Sequence, residues 1–253
     1  MEVGHLRVSL RHVLSVAGIA ILLLTCSVST GLAAAPGPNA VANVSPAPGS
    51  VVGVAMPVTV TFAEPVHDRA AAERSITFAS PKTPAGAFTW LNDEAVQWKP
   101  AGYWPAHSTI SVDALGFKTT FETGAEVVGV ADIDAHSFTV SIDGQVARQM
   151  PASMGKPKHP TPVGTFTALE KQSPVIMDSR TIGIPLSDPE GYKLTVYNAV
   201  RVTWGGVYVH GAPWSVASQG NSNVSHGCIN LSADNAAWYY DQVTIGDPII
   251  VQA

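Results

Sequence analysis
The chain has 253 residues, 46% of them hydrophobic and only 13% charged, with 22 glycines and 19 prolines. That composition excludes coiled coil and disorder, favours turn-rich β architecture, and leaves room for two modest domains. The net charge is −5, without a basic patch, which argues against nucleic acid as a partner.

The N-terminus reads as a targeting segment. Arg7 and Arg11 precede the apolar run Val13 to Thr25, and the small residues Gly31-Leu32-Ala33-Ala34-Ala35 follow. Residues 1–35 are therefore expected to be a secretory signal peptide or an uncleaved membrane anchor, since the apolar stretch is long enough for either. Leu24-Thr25 makes a poor lipobox for Cys26, which reads as one more residue of the apolar core. Residues 36–43, rich in Pro, Ala, Asn and Gly, read as a linker.

From residue 44 to 124, short runs with strand period are separated by Pro/Gly/Asn turns. They are Val58 to Phe62, Ser75 to Phe78, Ala95 to Trp98 and Thr109 to Val112. This spacing predicts an antiparallel β-sandwich. Trp90, Trp98, Tyr103 and Trp104 are expected in its core rather than on a sugar-binding platform. His67 and His107 are expected at the solvated surface.

Residues 125–253 open on Val127 to Ala131 and a second strand through Ile142. Asp143-Gly144 signals a hairpin and Val146 to Met150 the return strand. Thr161-Pro162-Val163-Gly164 leads into another strand. Residues 171–194 carry Pro174, Gly183, Pro185, Pro189 and Gly191 and are expected to be an irregular lid. Ala199 to Trp204 and Val207 to His210 flank Gly205-Gly206 as strands. Ser232 is the predicted N-cap of a helix through Tyr240. Asp247 to Val251 closes the domain. His136 and His159 default to the surface.

The chemistry concentrates in Ser225-His226-Gly227-Cys228-Ile229-Asn230, preceded by His210-Gly211. Cys228 is the only cysteine outside the N-terminal segment. An unpaired thiol in an exported chain suggests a reactive group rather than half of a disulfide. The thiolate is the nucleophile, so a base is needed, and His210 at a strand end is assigned that role. Gly211 has no side chain, so its carbonyl is the expected orienter of the imidazole. Gly227 lets a substrate approach closely, and the amides of Gly227 and Cys228 are the oxyanion candidates. His226 is expected to position or polarise the site, and Asn230 to hold loop or substrate. A zinc site from His210, His226 and Cys228 is disfavoured, because His-x-Cys spacing is unusual for zinc and no second cysteine exists.

A strand-end HG followed by S-H-G-C-hydrophobic-N resembles the L,D-transpeptidase (YkuD-type) catalytic family. The stretch YVHGAPWSVASQGNSNVSHGCINLSADNAAWYYD is especially similar to mycobacterial members. SPAPGSVVGVAMPVTVTFAEPV resembles the start of a bacterial immunoglobulin-like module. The resemblance implies a mainly β protein: one N-terminal immunoglobulin-like β-sandwich, then a β-rich catalytic domain with one or two short helices. It implies that Cys228 attacks the carbonyl between meso-diaminopimelate and the terminal D-Ala of a peptidoglycan tetrapeptide stem. D-Ala leaves, and the thioester is resolved by the amine of a second stem to give a 3→3 cross-link. It places His210 as base, Gly211 as the orienting carbonyl (often Ser in relatives), and His226, Gly227 and Cys228 at the oxyanion hole. Asn230, Met177, Tyr192 and Trp214 fall at substrate-contacting positions. Carbapenems would acylate Cys228. No metal or nucleotide cofactor is implied, the partners are stem peptides, and the location is the periplasm or cell wall. An L,D-carboxypeptidase or endopeptidase using the same thiol is the alternative, since only the acceptor differs, and an idle wall-binding protein is a third reading. Arg201 and Lys193 are the cations considered for a stem carboxylate.

Overall fold
The computed structural model describes residues 39–253. The N-terminal segment, with its expected signal or anchor role, lies outside them. Among the described residues no helix is long and apolar enough to cross a membrane.

The first half is a two-sheet sandwich. Its strands are β1 (Val41–Ser45), β2 (Val51–Val52), β3 (Val58–Phe62), β4 (Ile76–Ala79), β5 (Gly86–Trp90), β6 (Ala95–Pro100), β7 (Thr109–Ala114) and β8 (Phe117–Thr123). One sheet runs β1-β3-β6-β5 and the other β2-β8-β7-β4. β3 buries Val58, Val60 and Phe62 and leaves Thr59 and Thr61 partly exposed, the period of a half-buried strand. The tryptophans are core: Trp98 and Trp104 are 6% and 1% exposed, with ring centroids 5.0 Å apart. Two details depart from the sequence reading. β1 begins inside the segment read as a linker, because Val44 packs into the core. A short helix, α1 (Arg69–Arg74), interrupts the strands; Asp68 caps it by accepting the Ala71 N–H at 2.9 Å.

The second half contains β9 (Val127–Asp132), β10 (Ser137–Ile142), β11 (Gln145–Pro151), β12 (Gly164–Thr167), β13 (Glu170–Gln172), β14 (Val175–Asp178), β15 (Lys193–Val196), β16 (Ala199–Arg201), β17 (Tyr208–Gly211), β18 (Ile229–Leu231) and β19 (Pro248–Gln252). A five-stranded sheet, β11-β10-β9-β19-β12, and a four-stranded one, β13-β16-β17-β18, enclose the main core. Asp143 (φ 49°) and Gly144 (φ 77°) make the β10–β11 turn with the left-handed backbone that Asp-Gly favours. The helix α2 (Ala233–Gln242) starts where Ser232 accepts the Asn235 N–H at 3.3 Å, and Tyr239 packs edge-on against Phe138. The segment read as an irregular lid is framed by a hairpin, β14 paired with β15; their connection holds a 3₁₀ turn at Ser179–Ile182 and is irregular over 183–192.

The sandwich grips the second half through its β2–β3 turn. Gly53 donates to the Ile245 carbonyl at 2.8 Å and Ala55 to that of Gly246 at 2.9 Å. A Cβ on Gly53 would lie 2.0 Å from the Asp247 nitrogen, so only glycine allows this approach. Asp247 itself is fully buried, with Oδ2 accepting the Thr244 N–H at 2.7 Å and Oδ1 unpartnered. Burial pushes its carboxyl up to about 7. The unfolded chain releases this proton near pH 4 whereas the folded one keeps it to about 7, so stability falls as pH rises through that window. Asp247→Asn removes this fall. In denaturant unfolding the variant should gain roughly 2–3 kcal/mol on the parent between about pH 5 and pH 8. An unchanged difference at the two pH values would refute the assignment.

Candidate active site
The four residues of β17 are all buried, as expected of an interior strand, and β17 pairs in parallel with β18. That register sets His210 opposite Asn230, so their side chains share one face. Cys228 immediately precedes β18. The sheet thus converts two segments distant in sequence into neighbours at one strand-end rim.

His210 is 3% exposed, and its Nδ1 lies 2.9 Å from the Gly211 carbonyl oxygen. A carbonyl only accepts, so Nδ1 carries the proton and Nε2 is the basic nitrogen. Burial lowers the imidazole pKa, with the Gly211 bond opposing that shift. The ring is therefore neutral at pH 7. Space is not why residue 211 is glycine: a Cβ there would sit 3.5 Å from the Tyr197 oxygen, an ordinary contact.

Cys228 is unpaired and partly exposed, and it packs against the small cluster of Val196, Ala199 and Tyr208. Burial pushes its thiol up to about 11, partly offset by a hydrogen bond from the Tyr208 backbone. The S–H points to the Gly206 carbonyl oxygen at 3.7 Å. The thiol is thus protonated and the imidazole neutral, both bordering one cavity, and such a thiol becomes nucleophilic only once a base removes its proton.

The turn before Cys228 is fixed by groups that motif reading missed. Gly227 has φ +114°, while a Cβ there would meet nothing closer than 3.8 Å, so conformation and not crowding demands glycine. Its N–H donates to Ser225 Oγ at 3.0 Å. This bears on one expectation: the Gly227 amide is already occupied, so of the two expected oxyanion candidates only that of Cys228 is left. Thr161, 2% exposed, donates to the Gly227 carbonyl at 2.8 Å and accepts the Gly155 N–H at 2.8 Å. The Gly155–Thr161 loop is thereby bonded to the nucleophile turn. Thr161→Val keeps the shape but strands both backbone groups. It should cost about 2–6 kcal/mol in denaturant unfolding, at about 1–3 kcal/mol for each buried unsatisfied group. Turnover by the still-folded fraction should fall as well; full stability and activity would show that the loop is held by other means.

Met177, Tyr192, His210, Trp214, His226, Cys228 and Asn230 all border one cavity of about 460 Å³. Trp214 is half exposed with its ring 6.0 Å from that of His210. His226 lies between Tyr192 (5.1 Å) and His159 (4.9 Å), with a buried Nε2 that has no partner. Burial, then the charge of Lys156, lowers its pKa. Asn230 donates to Ser215 Oγ at 3.2 Å, and its Oδ1 is unpartnered. His159 is not a free surface group: it stacks on His226 and reaches Glu190 at 3.4 Å. Arg201 is committed elsewhere, bonded to Glu170 at 2.7 Å and lying 4.5 Å over the Tyr208 ring. Neither it nor Lys193 borders this cavity, whereas Lys156 does. No motif pointed to Thr161 or Lys156, and the S-H-G-C motif gave Ser225 no role of its own; the contacts of these residues do.

Residues 126–251 match the L,D-transpeptidase catalytic domain model, and residues 25–116 match a bacterial Ig domain. L,D-transpeptidase 1 of Mycobacterium tuberculosis is 57% identical over 244 residues, 95% of this chain and 97% of that protein. The chain belongs to the L,D-transpeptidase family. An L,D-transpeptidase from Mycobacterium smegmatis superposes with a TM-score of 0.81 at 72% identity, covering 86% of this chain and all (100%) of the other. An LD transpeptidase solved in complex with imipenem gives 0.80 at 60% identity, covering 85% and 99%. Both halves of this L,D-transpeptidase, the immunoglobulin-like sandwich and the catalytic domain, are thus accounted for.

Proposed function
We propose that this L,D-transpeptidase forms 3→3 cross-links between meso-diaminopimelate residues of peptidoglycan stems. One observation carries the reading: a thiol and a neutral imidazole, its tautomer set by the Gly211 carbonyl, face a single cavity between the hairpin and the nucleophile turn. His210 Nε2 takes the Cys228 proton as sulfur adds to the diaminopimelate carbonyl of a tetrapeptide donor. The Cys228 amide receives the oxyanion. The C–N bond breaks, the proton passes to the departing nitrogen, and D-Ala leaves a thioester. The side-chain amine of a second stem then adds, gives up a proton to His210, and displaces the sulfur. Asn230, Met177, Tyr192 and Trp214 contact the stem. Carbapenems acylate the same sulfur. The substrate puts the working site outside the cytoplasm, with residues 1–35 as signal or anchor. No cofactor takes part.

The test is incubation of the purified protein with a disaccharide-tetrapeptide and mass analysis of the products. A dimer lacking one D-Ala is the expected outcome. Tripeptide alone would make water the acceptor and the enzyme an L,D-carboxypeptidase.

A further inference from the structure
A donor cut at its last residue must be recognised by its end, and the free carboxylate is the chemical mark of a peptide end. Among the described residues Lys156 is the only ammonium or guanidinium that borders the cavity. It sits on the loop that Thr161 bonds to the nucleophile turn, and its own N–H donates to the Ser225 carbonyl at 3.0 Å. The backbone therefore holds the base of this side chain in fixed relation to Cys228. Its side chain is only 25% exposed, and its ammonium is held by Glu190, which projects from the hairpin. Lys158 meets the other oxygen of the same carboxylate at 2.6 Å.

His159, Glu190 and His226 offer three ligand atoms within 4.8 Å of one another, a spacing compatible with a metal ion. The charge balance opposes one: two ammonium groups already face the single carboxylate, so with Glu190 displaced the corner is cationic and attracts an anion. Glu190 stays ionised throughout the neutral range, its carboxyl drawn down to about 2 by the Lys156 and then the Lys158 hydrogen bonds.

We infer that Lys156 binds the C-terminal carboxylate of the departing D-Ala, and that Glu190 occupies this subsite until the donor carboxylate displaces it. The inference rests on the reading of the donor given above. It assigns the hairpin a role in specificity, because a stem lacking a terminal carboxylate has nothing to exchange for Glu190.

Equilibrium binding to the Cys228→Ala protein tests this without turnover. The probes are the free tetrapeptide ending in D-Ala and the same peptide ending in D-alaninamide. The free acid should bind about tenfold tighter or more, the scale of one charge-assisted contact. Adding Lys156→Gln should bring the two affinities together, and Lys156→Arg should restore the difference. Glu190→Gln should tighten the acid and leave the amide unchanged. Unaltered discrimination in a folded Lys156→Gln protein overturns the assignment, as does equal affinity for acid and amide at the start. If Lys156→Gln does not fold, Lys156→Arg and Glu190→Gln carry the test, and equal tightening of both peptides by Glu190→Gln overturns the exchange. A Cys228→Ala protein that discriminates, beside a parent that makes no cross-link, keeps the subsite and removes the transfer reaction instead.

Discussion

Replacing Cys228 by Ala should abolish both stem turnover and the mass gain on carbapenem treatment while leaving the fold intact. Among the described residues Cys228 carries the one thiol bordering the cavity, and the hydroxyls of Ser215 and Ser225 there already donate to backbone carbonyls. The side chain is small, so its loss leaves little cavity and should cost about 1 kcal/mol. Residual turnover above background in this variant would move the nucleophile elsewhere. A second, independent measurement bears on the same atom. With the thiol pushed up to about 11 by burial, the thiolate fraction of the free enzyme grows tenfold per pH unit across the neutral range. Alkylation by iodoacetamide should therefore accelerate steadily from about pH 7 to pH 10. A plateau near neutrality would mean a resting thiolate–imidazolium pair, contrary to the S–H contact with the Gly206 carbonyl.

His210→Asn should lower the rate of acylation by about 10²–10⁴-fold, the usual worth of general-base assistance, at little cost to donor binding. Cys228 is poorly acidic in this setting, and Asn cannot accept its proton. The parent should also carry a pH signature that the variant lacks. Burial lowers the His210 pKa, so the neutral, active imidazole persists below the ordinary value of about 6.5 and is lost only as pH falls further. The same depression means the unfolded chain binds this proton more readily than the folded one. Its contribution to stability is thus full above about pH 6.5 and declines as pH drops through the folded value. An acid limb of the acylation profile that survives unchanged in His210→Asn would assign that limb to another group, with His226 the first to examine.

The legible parts of this chain were those encoded by local pattern. Strand alternation announced β3 and β10, Asp143-Gly144 announced its hairpin, and Ser232 announced the start of α2, each because backbone preference and burial period act over a few neighbouring residues. The reagents, too, were readable, since a free thiol, two histidines and a glycine turn are chemically distinctive wherever the fold places them. Less legible were elements whose stability comes from partners. The hairpin β14–β15 was hidden by its prolines and glycines, and β1 by its position in an apparent linker; each is held by a paired strand that no local rule names.

What the tertiary structure alone decided is how those reagents are tuned and who holds them. The β17–β18 register puts His210 beside the nucleophile strand, and burial then sets the imidazole neutral and the thiol protonated. Ser225 takes the Gly227 amide out of contention for the oxyanion, and Thr161 ties a loop 66 positions away to the same turn. Lys156 and Glu190, 34 positions apart, meet only when the hairpin lies across the cavity. Residue type is a property of the sequence and fixes which protons and electron pairs exist. Their energies depend on solvent exclusion and on contacts between distant segments, and those come into being only when the chain is folded.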